Sequence, residues 1–139
     1  MKSKQFGNRF IVRIDKGEEA VSCLKEFCAK NSITLGYITA IGAAEKVTLG
    51  FFDTKTKVYH SKELSGGFEI APLYGNISTK DGETYLHLHA NVCDRNLNSF
   101  GGHLNSALIS ATLECVIEAM DGKIWRFPDS ETGLNLYDI

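Results

Sequence analysis

No apolar run in these 139 residues approaches the roughly 18 that a membrane-crossing helix needs, and the opening MKSKQFGNRF lacks the apolar core of a secretory signal. No membrane span is expected, and the cytoplasm is the expected location. The four cysteines, Cys23, Cys28, Cys93 and Cys115, form neither a Cys-x-x-Cys pair nor a disulfide framework. That argues against a thiolate zinc site and for reduced thiols, with Cys93 the one to watch beside the histidines. Positive charge is not in excess either: Lys and Arg total 15 against 17 Asp and Glu, a net charge of -2. Such a balance excludes a domain that grips nucleic acid through its overall field. Lys2, Lys4, Arg9, Arg13 and Lys16 bias the N-terminal end, which reads as a solvated face or a tail. Repeats, linkers and low-complexity segments are absent.

What is present suits one soluble domain: 43% hydrophobic and 23% charged residues over a length that can bury one core. Residues 8–127 form the expected core of a single 1–139 domain, with 128–139 as a C-terminal tail. Phe10, Val12 and Ile14 alternate with Arg9, Ile11 and Arg13 in a short strand. Asp15 then offers a helix cap, and Ala20, Val21, Leu24, Phe27 and Cys28 recur at helical spacing between Glu18 and Lys30. Gly36–Gly42 and Lys46–Phe52 read as two strands with a bend between them, and Lys57–Leu64 as a third that leaves His60 on the surface. Phe68–Ser78, kinked at Pro72, joins Tyr85–Val92 through a Lys80-Asp81-Gly82 turn. After a Gly101-Gly102-His103 turn, a helical turn over His103–Ser106 leads into a strand from Ala107 to Ala119. Asp121-Gly122 signals a hairpin returning along Lys123–Phe127, and the rest has weak periodicity. The sum is an α+β fold, a mostly antiparallel sheet of seven or eight strands with one or two helices.

Leu86–Leu104 gathers three of the four histidines into nineteen residues. Strand alternation puts His87, His89 and Asn91 on one face and Leu86, Leu88, Ala90 and Val92 on the other. His103 follows a polar loop, Asp94–Ser99, and a Gly-Gly pair, so the chain can bring it back beside the first two. Three neutral imidazoles converging on one point suit a divalent transition metal, zinc first, with iron, nickel or copper as further candidates, and leave a coordination position open. A hydrogen-bonded histidine cluster without metal is the alternative. Glu114, in an otherwise apolar strand, needs a donor: an imidazole N–H, which would make it a supporting partner of the site, or Arg13 or Arg126 in an ion pair.

Several ordered segments together resemble the plants-and-prokaryotes-conserved (PPC) domain family: GYITAIGAAEKVTLGFFD (Gly36–Asp53), GGFEIAPLYGNIS (Gly66–Ser78), LHLHANVCD (Leu86–Asp94), GGHL (Gly101–Leu104) and ATLECVI (Ala111–Ile117). The resemblance implies an α+β domain, usually a homotrimer, in DNA-associated or regulatory proteins. In plant members a segment like Gly66, Gly67, Phe68, Glu69, Ile70 and Ala71 is linked to partner binding. Here Gly67 stands in place of their arginine and Ala71 in place of their leucine. The AT-hook that accompanies the domain in plants, an Arg-Gly-Arg-Pro core, is absent, and with it the inserted arginine that reads a minor groove. The histidine trio matches the prokaryotic branch.

Two functional expectations follow. One is a metal-binding homotrimer with a regulatory or DNA-associated role, with His87, His89 and His103 as ligands. The other is a metal-dependent enzyme acting on a small molecule, with Glu114 and Asp94 as its general-base candidates. What separates them is whether the ion would face a pocket or be sealed.

Overall fold

Phe10, Val12 and Ile14 turn inward from strand β2 (Arg9–Asp15), while the alternate residues face water. A computed structural model describes all residues, 1–139. Ahead of β2 lies β1 (Lys2–Phe6), a fully exposed strand that pairs with it antiparallel. Its KSKQF sequence has no apolar alternation, so pattern reading has nothing to detect there.

The helix α1 spans Ala20–Lys30 and buries Ala20, Leu24, Phe27 and Cys28, with Phe27 edge-on to Phe10 at 5.4 Å. Its cap is Glu19, not Asp15. The Glu19 carboxylate accepts from the backbone N–H of Val21 and Ser22, and also from Ala107 at 2.9 Å. That third bond ties the helix start to a distant strand, something local cap preference cannot anticipate.

Four long strands follow: β3 (Gly36–Asp53), β4 (Val58–Lys80), β5 (Glu83–Asp94) and β6 (Ser99–Ala119). The two strands expected over Gly36–Phe52 are one, whose register shifts between Ala40 and Gly42 and between Ala44 and Lys46. The glycines bend this strand without ending it. A Cβ on Gly42 would lie 2.2 Å from the Thr112 carbonyl oxygen, so glycine admits a close approach of β3 to β6. Likewise the strands expected over Lys57–Leu64 and Phe68–Ser78 are one strand, β4, which begins at Val58 and shifts register on its β5 edge between Ile70 and Leu73, around Pro72. The Asp81-Gly82 turn is as the sequence predicts, both residues having positive φ, with Lys80 opposite Glu83.

Three further expectations fail. Gly101, Gly102 and His103 form no turn, and His103–Ser106 forms no helical turn, because all lie inside β6. The reversal comes earlier, at Arg95–Asn98, where the Asp94 carboxylate accepts from the backbone N–H of Asn96 and Asn98 and from the Asn98 side chain. Nor does the chain return along β6 after Gly122. β7 (Trp125–Pro128) crosses to β4, meeting it in parallel at Thr79 and Trp125, and pairs antiparallel with β8 (Asn135–Asp138). The C-terminal tail is therefore a hairpin docked on the sheet.

The sheet runs β1-β2-β6-β3-β4-β7-β8, and β5 bonds both β4 and β6. Strands β3, β4, β5 and β6 thus close a ring. The result is eight strands and one helix in a mostly antiparallel α+β domain. Twenty-six buried apolar residues from the inward faces and α1 fill it. Fully burying each of the larger ones contributes about 1.5–3 kcal/mol. No helix is long and apolar enough to cross a membrane.

Candidate metal centre

Leu88, Ala90 and Val92 of β5 face the core, so His87 and His89 must face outward. Across the β5–β6 hairpin, His89 pairs directly with His103, Ala90 with Gly102, Asn91 with Gly101, Val92 with Phe100 and Cys93 with Ser99. The fourteen-residue interval from His89 to His103 is thus a hairpin register centred on Asn96. Gly102 lets β3 lie close against β6 on the other side, since a Cβ there would stand 2.5 Å from the Gly50 carbonyl oxygen.

The three rings converge. His87 Nε2 lies 3.2 Å from His103 Nδ1 and 3.2 Å from His89 Nε2, and one ligating nitrogen from each ring falls within 4.8 Å of the others. Nitrogens held about 2.05 Å from a tetrahedral zinc ion stand roughly 3.3 Å apart, a spacing that both separations from His87 Nε2 match. A purely hydrogen-bonded cluster fits less well. His87 Nε2 has one proton or one lone pair to offer, yet faces two imidazole nitrogens at the same distance.

Burial, then the charges of His89, His103 and Arg126, bring His87 down to about 4. Burial and His89 also lower His103. Imidazoles held neutral keep their lone pairs free for a cation.

Beside His87 and His103 opens a cavity of about 420 Å³, walled also by Tyr59, Asn105, Arg126 and, from the C-terminal arm, Leu134 and Leu136. The Tyr59 hydroxyl donates to Asn105 Oδ1 at 2.6 Å, and its ring centroid lies 6.0 Å from that of His103. The sequence singles out neither Tyr59 nor Asn105, and offers Arg126 only as an ion-pair partner for Glu114, a pair that does not form. Tyr59 and Arg126 reach the site through the β3–β4 pairing and the crossing of β7, for which the sequence carries no local signal, whereas Asn105 follows His103 by two residues in β6, a strand spacing the sequence does carry.

The other candidates lie elsewhere. Glu114 is exposed on β6, eleven residues beyond His103, with Arg13 and Ile41 as cross-strand neighbours. It touches no imidazole and forms no ion pair; Arg13 bonds Asp15 instead. Asp94 is committed to its loop, and its hydrogen bonds from Asn98 hold its carboxyl below the usual range. Cys93 lies four residues along β5 from His89, its sulfur 4.0 Å from Ser99 Oγ. In the segment Gly66, Gly67, Phe68, Glu69, Ile70 and Ala71, Phe68 and Ile70 are buried. Glu69 and Ala71 line a shallow surface hollow with Ile41 and Glu114.

The model of the Plants and Prokaryotes Conserved (PCC) domain matches residues 1–121. A crystal structure of a protein from Bacteroides thetaiotaomicron, provisionally described as DNA-binding, is 39% identical, with 99% of this chain and 96% of that one covered and a TM-score of 0.96. A metal-containing protein from Archaeoglobus fulgidus is 34% identical, with 99% of each chain covered and a TM-score of 0.87. The bifunctional protein GlmU of Synechococcus sp. (strain JA-3-3Ab) is 31% identical over 125 residues, 88% of this chain. The chain spans 19% of that protein's length.

Proposed function

Because the chain belongs to the Plants and Prokaryotes Conserved domain family and carries a three-histidine cluster beside an open cavity, we propose that it binds a divalent transition metal at which a small molecule is held or transformed. His87 Nε2, His89 Nε2 and His103 Nδ1 are the ligands. Zinc is the first candidate, since three neutral nitrogen donors with room for a fourth ligand suit it; iron and nickel follow. The carrying observation is the convergence of the three nitrogens at the cavity's edge. A purely structural site would be sealed by a fourth side chain, and no Cys, Asp or Glu joins the cluster. When bound, the ion supplies a polarised water or a Lewis-acid contact. The chain's own residues orient the ligand: Tyr59 and Asn105 present polar groups, and Leu134 and Leu136 of the C-terminal arm keep bulk water from one side. The description of the Archaeoglobus relative as metal-containing supports this reading.

The protein works as a homotrimer in this proposal. Support comes from exposed apolar side chains on the outer face of the sheet, Ile11, Ile41 and Tyr74, the last two 61% and 60% exposed. A DNA-associated, regulatory role is the second reading. It is supported by the description of the Bacteroides neighbour, while the net charge of -2 supplies no field to hold phosphates.

Elemental analysis of untagged protein tests the metal site. About one transition-metal ion per chain is expected in the wild type and almost none in a His87→Ala, His89→Ala double variant. Equal metal in both would move the ligands elsewhere.

A further inference from the structure

Arg126 sits at the root of the C-terminal hairpin, half-buried, with the rings of Tyr85 and Tyr137 against its guanidinium at 4.8 and 4.2 Å. Its Nε donates to Ser78 Oγ and its Nη1 to the Asn135 carbonyl oxygen, each at 2.7 Å. A guanidinium has five N–H groups, so the remaining three have no protein acceptor. Every ion pair in the molecule lies elsewhere. This positive charge therefore lines a cavity without a carboxylate to balance it.

The cavity's composition sharpens the point. Of its 14 lining residues none is Asp or Glu, and the ionisable ones besides Arg126 are His87, His103 and the two tyrosines, Tyr59 and Tyr85. With three neutral imidazoles around a divalent ion, the hollow would hold two positive centres and no negative one. A half-buried charge left unpaired is costly, and water solvates it less well there than at the surface. An anion entering from solvent relieves both centres together. Carboxylate suits them best, since it ligates a hard or borderline cation through one oxygen and accepts from a guanidinium through the other. The volume, about 420 Å³, suits a small metabolite-sized acid and not a polymer.

We propose that this cavity is a binding site for small carboxylate ligands, with Arg126 as the anion-holding residue beside the three-histidine centre. The assignment rests on the metal reading above and names its ligand class. It also gives the C-terminal hairpin, which lies beyond the 1–121 match, a role: delivering the arginine to the site.

The test uses full-length protein loaded with cobalt(II), whose visible absorption reports changes at the ion, titrated with oxalate and separately with imidazole. In the wild type oxalate should shift the spectrum saturably. In Arg126→Gln its affinity should fall at least tenfold, equivalent to about 1.4 kcal/mol, while the affinity for imidazole, a neutral metal ligand, stays unchanged. Arg126→Lys, which keeps the charge but not the two-pronged donor geometry, should fall between them and serves as the reporter if the glutamine variant does not fold. Equal oxalate affinity in wild type and variants, with cobalt bound in each, would overturn the carboxylate site and leave the metal reading standing. Failure of the wild type to take up cobalt would overturn the metal reading, and the carboxylate site with it.

Discussion

His87 is the residue at which the site's electrostatics concentrate. Its ordinary value near 6.5 falls to about 4 because burial disfavours the imidazolium and because His89, His103 and Arg126 add positive charge. Between those values the unfolded chain binds a proton that the folded one refuses. Stability of the metal-free protein must therefore rise with pH through that window and fall as the pH drops through it, the loss being complete below about 4. The lowered carboxylates start from 3.8 at Asp15, Asp53, Asp94 and Asp129 and from 4.5 at Glu18 and Glu19, so they act at the acid end of that window and below it, while the lowered His103 adds to His87 in the same direction. We expect the melting temperature of metal-free protein to be lower at pH 5 than at pH 7, and His87→Gln to shrink the difference. An unchanged pH dependence in the variant would assign the effect to other groups. The sequence marks His87 as a candidate ligand by its place in His-x-His, but its titration depends on neighbours brought from β6 and β7.

The β5–β6 hairpin is the element that makes three separate imidazoles a site. Strand period two sets His87 and His89 side by side, and the Asp94 loop sets the register that lands His103 opposite His89. The two glycines before His103 are not equivalent. A Cβ on Gly101 would meet its nearest atom, the Ala90 carbonyl oxygen, at 3.5 Å, whereas one on Gly102 would stand 2.5 Å from the Gly50 carbonyl oxygen. Gly102→Ala should therefore destabilise by about 1–3 kcal/mol in urea unfolding and weaken metal retention, and Gly101→Ala should be nearly neutral. Similar midpoints for the two would show that β3 yields easily at Gly50. The Gly-Gly pair signals a special backbone in the sequence, and a turn is the natural first reading of it. Strand-to-strand proximity is the actual requirement, and it becomes visible only once β3 lies beside β6.

At the scale of the molecule, closure of β3, β4, β5 and β6 into a ring puts the core inside and leaves the histidines, Tyr74 and Ile41 on the outer surface. His89 continues a row across the strands through Tyr74, Thr39, Val116 and Ile11. Removing that much exposed apolar area from water is the physical incentive for self-association. Sedimentation velocity should give a species of three times the 15.3 kDa chain mass, and an Ile41→Asp, Tyr74→Asp variant should sediment as the single chain. A monomeric wild type at micromolar concentration would end the trimer proposal.

The sequence by itself determined the composition of the fold and the faces of its strands. Alternation of Leu88, Ala90 and Val92 with His87 and His89 obliges the imidazoles to point away from the core, and the Asp81-Gly82 turn obliges β4 and β5 to pair. Both are consequences of local backbone geometry, which a stretch of a few residues carries whole. Tertiary structure decided what lies around those imidazoles. Glu114, suggested by its oddity in an apolar strand, stays on exposed surface eleven residues from His103, while Arg126 reaches the cavity through one parallel pairing at Thr79 and Trp125. Such long-range pairings follow from how the ring closes and what packs on it, an energy shared among many distant residues, so no local pattern records them.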